Sequence, residues 1–355
     1  MKLGKFKNGK VVRISKNSMN RHITIFGKPG SGKSVRIKEI ENDAVQNGKT
    51  VIAFELLRGS ADADPPNVNR IDAVADGIAL PILDMSAVDA GLETKVAFIT
   101  YLTELLAGTE TLGCRQTGAL REAIIHAIEH RNDYPTDLKA IADGLKMQRS
   151  ASAKGVYNKL WSLLCSDAFR ESKKKIKAGY INIFSLERMH ASTQTSMVEL
   201  ILGSIWRQIK LNGRSETEVV IVIDEIQKIR TKKNSVIAEM LRESRQYNVS
   251  LILATQRAGA VNKEILKASN EAAISLYFQP SSSEIKKIAE LIDPQQTERY
   301  TLQLQNLKKG YSIVTGKVEI DGQENDRPIV IKSEYEENNK VLIKPKQICI
   351  EKQNL

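Results

Sequence analysis

Eight consecutive residues carry the clearest chemistry in this chain: Gly27, Lys28, Pro29, Gly30, Ser31, Gly32, Lys33 and Ser34. Their spacing, G-x-x-x-x-G-K-[ST], is that of a phosphate-cradling loop. Glycines let the backbone wrap a phosphate chain with its N–H groups turned inward. The helix that Val35 continues adds the partial positive charge of its N-terminus. Lys33 would then reach the β- and γ-phosphates, and Ser34 would hold Mg²⁺. The segment Gly27 to Val35 therefore predicts binding of a nucleoside triphosphate, with ATP and Mg²⁺ as cofactors.

A second chemical signal is the run Val219-Val220-Ile221-Val222-Ile223-Asp224-Glu225. It is an apolar strand that ends on two carboxylates. Beside a phosphate loop, an Asp at such a strand end can hold Mg²⁺, and the next Glu can polarise an attacking water as general base. Asp224 and Glu225 are assigned these roles. A third strand, Leu251-Ile252-Leu253-Ala254, ends on Thr255-Gln256. The Gln256 amide could contact the γ-phosphate or the attacking water and so report hydrolysis to the adjacent loop.

These groups need a scaffold that brings strand ends together. Ile23 to Phe26 reads as a buried strand before the loop, and a helix follows with Val35, Ile37, Ile40 and Ala44 on one side. Asn47-Gly48 is a helix stop. Further strands are expected at Thr50 to Phe54, Tyr180 to Phe184, Val219 to Ile223, Ser250 to Ala254, Ala273 to Phe278, Tyr311 to Val314 and Arg327 to Ile331. Helices are expected near 195–211 and 235–247. Short apolar runs alternating with helices predict an α/β fold with a mostly parallel, buried sheet.

Residues 1–20 read as a β-hairpin turning at Asn8-Gly9. The stretch 61–178 interrupts the strand pattern. It opens on a loop-like SADADPPNVN, then shows helical periodicity near 95–107, 116–130, 136–146 and 153–169, and reads as a helical insertion. The core is thus assigned to 21–60 and 179–335, with a C-terminal tail at 336–355.

Composition narrows the class. At 355 residues and 41% hydrophobic, the chain can bury a sizeable core. No apolar run is long enough to span a membrane, and the basic start MKLGKFKNGK has no secretory apolar region. Cys114, Cys165 and Cys349 are scattered and form no metal-ligand pattern, which fits a reducing, cytoplasmic compartment. A net charge of +11 points to an anionic partner such as nucleic acid. Lys228, Arg230, Lys232 and Lys233, just after the carboxylate pair, could contact DNA phosphates.

The string LRESRQYNVSLILATQRAGAVNKEIL, Leu241 to Leu266, resembles the HerA/FtsK superfamily of DNA-pumping ATPases, and most of all its HerA and conjugative-ATPase branch. RHITIFGKPGSGKS, YINIFSL, the Asp-Glu strand and GYSIVTGK fit the same branch, so the resemblance covers 21–60 and about 180–335. It implies a RecA-like P-loop core, a hexameric ring, ATP at subunit interfaces and double-stranded DNA in a central channel. It also implies arginines acting in trans, and Arg242 and Arg245 match the arginine positions of the family string.

Three departures stand out. The family carries a β-barrel before the P-loop, where this chain has about 20 residues. Ala272 and Ala273 stand where an FtsK-type arginine would precede the strand. Glu55-Leu56-Leu57-Arg58-Gly59 replaces an Asp-Pro-x-Gly-Glu pattern, leaving Glu55 as either a second carboxylate near Mg²⁺ or a loop charge. The expected function is an ATP-driven motor on DNA. The alternative is an ATPase scaffold or regulatory subunit that assembles with and controls a partner nuclease, effector or secretion channel.

Overall fold

The computed structural model describes residues 1–18, 21–57, 64–229, 235–256 and 274–334. Among them, thirteen strands form one mixed sheet in the order β12-β11-β2-β1-β13-β10-β9-β3-β8-β7-β4-β6-β5. Its functional half is parallel and consists of β3 (Ile23–Phe26), β4 (Thr50–Glu55), β5 (Val68–Asp72), β6 (Ile181–Ser185), β7 (Val219–Ile223), β8 (Val249–Thr255) and β9 (Ile274–Tyr277). The β3 strand lies between β8 and β9, with Phe26 level with Thr255 on one side and Tyr277 on the other. The fold is a RecA-like α/β P-loop architecture.

Alternation along these strands sorts side chains onto two faces. Ile25, Val51, Val220, Val222, Ile252 and Ala254 share a buried core with Ile37, Ile40 and Ala44 of α1 (Lys33–Gln46). Ile52, Phe54, Ile221, Ile223, Leu251 and Leu253 share another with Leu200, Ile201 and Trp206 of α7 (Ala191–Asn212). Each buried Val, Leu, Ile or Phe among them contributes roughly 1.5–3 kcal/mol. The two cores fix the height and orientation of the strand ends that carry the polar residues.

The stretch between β5 and β6 folds as α2 (Ser86–Asp89), α3 (Lys95–Thr109), α4 (Cys114–Glu129), α5 (Asp137–Met147) and α6 (Ala151–Leu164). The side chains of Thr94, Thr136 and Ser150 cap the starts of α3, α5 and α6 by accepting from the backbone N–H three residues on. Leu120, Ile124 and Ile141 of these helices belong to the same apolar core as the sheet face.

The other half of the sheet is antiparallel: β1 (Lys2–Lys5), β2 (Val11–Ile14), β10 (Tyr311–Thr315), β11 (Val318–Ile320), β12 (Gln323–Asn325) and β13 (Ile329–Lys332). The Asn8-Gly9 turn between β1 and β2 takes positive φ at both residues, 60° and 77°, as a tight primed turn requires. The hairpin does not stand apart: Lys5 pairs with Lys332, and the buried Arg36 of α1 donates to the Leu3 carbonyl.

Two local readings change. The stretch that reads as a loop contains β5, which begins at Val68 and forms a parallel edge. Its Asn69 is buried and pairs with Asn182 and with the Lys175 carbonyl, so polar contacts replace the apolar signal a strand usually gives. The helix expected over 235–247 ends earlier. α8 (Val236–Glu243) passes into a 3-10 turn at Ser244–Tyr247, where the wholly buried Ser244 meets His22.

Candidate nucleotide site

The Gly27–Ser34 loop leaves β3 at the carboxyl edge of the parallel strands and enters α1 at Lys33. It is pinned on three sides. Gly27 N–H donates to the Thr255 carbonyl at 3.3 Å, Lys28 N–H to Gln279 at 2.9 Å, and Gly310 N–H to the Ser31 carbonyl at 3.0 Å. Gly30 and Gly32 have φ of 73° and 107°, conformations that side chains resist. At Gly32 the fit is also steric, since a Cβ would stand 3.1 Å from the Gly310 backbone. Ser31 Oγ is buried without a hydrogen-bond partner among the described residues.

Lys33 is 6% exposed, and its ammonium donates to the carbonyls of Gly27 at 2.7 Å and Lys28 at 3.1 Å. Burial lowers its pKa, and the charges of Asp224 and Glu225 oppose that shift. Ser34 Oγ donates to Asp224 Oδ2 at 3.2 Å, so the two oxygen ligands expected for a hard cation stand side by side. Burial raises the Asp224 pKa, against the pull of Lys33 and Ser34.

Glu225 follows with φ 69° and ψ 57°, a left-handed conformation that turns its side chain back toward the site. Gln256, at the end of β8, donates its amide to Glu225 Oε1. The structure thus brings Lys33, Ser34, Asp224, Glu225 and Gln256 to one edge. The Glu55 carboxylate, at the end of β4, pairs with Arg70 on β5.

The two arginine candidates lie elsewhere. Arg242 is exposed in the last turn of α8, and Arg245 is exposed in the 3-10 turn before β8. Arg245 lines a 360 Å³ cleft with Arg21, Arg214 and Asn248, at the amino edge of the strands. The seven residues of β8 separate it from Gln256, a span of about 20 Å. Arg245 therefore does not reach the phosphate loop of its own chain. His22 sits beneath this edge. Its Nδ1 accepts from Leu251 N–H at 3.0 Å and its Nε2 lies 3.2 Å from Ser244 Oγ. Burial lowers its pKa to about 4, so it is a neutral structural link.

No family model matches the chain. It is 22% identical over 342 residues to the DNA double-strand break repair helicase HerA of Sulfolobus acidocaldarius, covering 90% of this chain and 67% of that protein. It is 23% identical over 328 residues to the HerA of Saccharolobus solfataricus, covering 86% and 64%. Among solved structures it is similar to VirB4 of Thermoanaerobacter pseudethanolicus, with a TM-score of 0.67, 18% identity and coverage of 95% and 96%. The chain is thus similar to HerA/FtsK-type P-loop ATPases in sequence and in fold. The plasmid coupling protein TrwB, in complex with ADP and Mg²⁺, shares the same fold at a TM-score of 0.65, 11% identity and coverage of 90% and 86%. The chain spans about two thirds of the length of the curated relatives it matches.

Sequence reasoning missed several parts of the site. Lys228 reads as a DNA contact, yet its ammonium pairs with Glu225 Oε2. Gln227 accepts from Thr255 Oγ1 at 2.9 Å, tying the ends of β7 and β8 together. Gly310 was visible only within a family-like string, not as a packing partner of Gly32. Arg230, Lys232, Lys233, residues 257–273 and the tail at 336–355 lie outside the described residues. No described helix is long and apolar enough to cross a membrane.

Proposed function

We propose that this chain is an ATP-hydrolysing motor that assembles as a ring, most simply a hexamer, and moves double-stranded DNA. The observation that carries this reading is the convergence of Lys33, Ser34, Asp224, Glu225 and Gln256 at the carboxyl edge of the sheet. The DNA part is supported by the relatives' description as DNA repair helicases and by the net charge of +11.

The residues present fit a nucleotide with Mg²⁺. The unpartnered Ser31 Oγ, the inward glycine backbone and the buried Lys33 suit phosphate, and the adjacent Ser34 and Asp224 oxygens suit a hard cation. Mg²⁺ bound there would neutralise charge between the β- and γ-phosphates. Lys33 exchanges its loop carbonyls for phosphate oxygens. Glu225 takes a proton from the attacking water as the water oxygen bonds to the γ-phosphorus and the bond to the leaving ADP oxygen breaks, and Gln256 orients that water and couples loss of the γ-phosphate to β8. Arg245, with Arg242, completes the site of a neighbouring subunit. A permanently charged, forked side chain suits that task. Its place at the opposite edge from the P-loop suits a head-to-tail ring, whose two contact surfaces must differ.

In the same reading, 21–60 and 179–335 form the motor core, 61–178 an inserted helical module and 336–355 a tail. Lys228, Arg230, Lys232 and Lys233 would contact DNA phosphates without reading sequence. The protein acts in the cytoplasm, where a nuclease or other effector could join it. Triplex displacement tests the reading. With ATP, the protein should strip a third strand from duplex DNA, and duplex DNA should stimulate its ATP turnover. ATP turnover that ignores DNA, with no displacement, would instead favour an ATPase scaffold for a protein partner.

A further inference from the structure

The proposed chemistry needs Glu225 free to take a proton, yet both oxygens of its carboxylate are engaged. Oε1 accepts from the Gln256 amide, and Oε2 pairs with the Lys228 ammonium. The Gln256 contact belongs to the reporting role already described. The Lys228 contact has no part in phosphate binding, because Lys33 supplies that cation.

Lys228 is mounted so that only its side chain can move. Its N–H donates to the Glu225 carbonyl at 2.8 Å, and its own carbonyl accepts from Thr195 Oγ1 of α7 at 2.9 Å. Ile226 and Ile229 on either side are buried at 2% and 6% exposure. The Lys228 side chain itself is 39% exposed against 17% for Glu225. A polyanion arriving from solvent can thus meet the ammonium without displacing the backbone, and the ammonium can leave by rotating its stem.

We propose that Lys228 is a latch on Glu225: paired with the carboxylate it holds the base idle, and a nucleic-acid phosphate that draws the ammonium away releases it. The proposal rests on the DNA-motor reading above. A lysine suits a latch better than an arginine would, because a compact charge on a flexible stem exchanges partners without losing a bidentate geometry. A phosphodiester keeps its charge at every working pH, so it competes steadily with the carboxylate. A half-exposed ion pair is worth little in water. The latch therefore accounts for a roughly two- to fivefold share of any DNA stimulation, and Lys228 acts as a positioning residue rather than a catalytic one.

The test is steady-state ATP turnover with and without a blunt-ended duplex, together with binding of a fluorescent ATP analogue. Lys228→Ala and Lys228→Gln should each raise DNA-free kcat about two- to fivefold, leave KM and analogue affinity unchanged, and shrink the stimulation ratio by the same factor. Lys228→Arg keeps a cation in reach and should retain the ratio. Adding Lys228→Ala to Glu225→Gln should give no gain, because the effect runs through the carboxylate. Neutral variants that bind the analogue normally but show unchanged or lower DNA-free turnover would overturn the latch. A wild type that hydrolyses ATP but ignores the duplex would count against the motor reading, whatever the Lys228 variants do to the DNA-free rate.

Discussion

The two edges of the parallel sheet are both rich in charge, but they use it differently. At the amino edge the buried groups satisfy one another. Glu218 accepts from Lys49 at 2.7 Å and Arg21 at 2.9 Å and from the Ser250 hydroxyl, while His22 bridges Leu251 and Ser244. At the carboxyl edge Lys33 rests on carbonyls of its own loop, Ser31 Oγ is unpartnered among the described residues, and Glu225 holds a left-handed backbone. Closed networks stabilise; groups in strained or self-directed contacts are available to a ligand. The arginine cleft at the amino edge is the exception, since Arg245 is exposed and projects from an otherwise self-satisfied region.

That exception gives the largest expected effect. Arg245→Ala should lower turnover by on the order of 10³-fold or more while nucleotide binding persists, the usual weight of an arginine finger. Mixing it with Lys33→Ala subunits should restore some activity, because one supplies intact phosphate loops and the other intact arginines. Demonstrably mixed rings with no recovery would remove the cross-subunit role and leave Arg245 with its amino-edge neighbours.

The closed network predicts a stability effect without a catalytic one. Burial pushes the Glu218 carboxyl up, but the Lys49 and Ser250 hydrogen bonds and the Lys49 and Arg21 charges outweigh it, so its pKa is lowered. The stability this confers is present above the ordinary carboxylate pKa and is lost as pH falls. Glu218→Ala should cost about 1–3 kcal/mol at neutral pH, less than a sealed ion pair because Arg21 remains open to water. Thermal melts should show the difference from wild type narrowing toward acid pH. A variant as stable as wild type at pH 7 would mean the amino edge is not held together this way.

The smallest effect sharpens the contrast from the other side. Glu41, on α1, is pushed up to about 8 by burial, with the Asp224 charge adding to the shift and Lys38 opposing it. The folded carboxyl keeps its proton up to about pH 8 while the unfolded one releases it near 4.5. Stability therefore falls as pH rises through that window. Glu41→Gln should gain on the order of 2 kcal/mol at pH 6 and almost nothing at pH 4.5. A gain independent of pH, seen in melts at both values, would contradict this origin.

How much of this was legible in the sequence depended on where the information sat. The glycine spacing, the Asp224-Glu225 strand end and the Thr255-Gln256 strand end are local, and the structure gathers them at one edge. The helices after residue 90 announced themselves by apolar periodicity, and α3 to α6 lie close to the expected stretches. By contrast β5 hid because Asn69, Arg70 and Asp72 answer to polar neighbours. The docking of β1 against β13 joins residues more than three hundred positions apart, which no local pattern encodes. The Lys228–Glu225 pair needed the turn geometry at Glu225, and the amino-edge cleft needed Arg21, Arg214 and Arg245 to be brought together by folding.

The most direct test of the central claim, that the carboxyl edge is a nucleotide site with divided roles, is a paired measurement on Lys33→Ala and Glu225→Gln. Binding of a fluorescent ATP analogue and single-turnover hydrolysis are read on both. Lys33→Ala should lose tight binding. Glu225→Gln should bind as wild type does and hydrolyse on the order of 10²-fold more slowly or worse, the weight of a positioned base. Equal loss of binding in both variants, or hydrolysis at the wild-type rate in Glu225→Gln, would contradict the account.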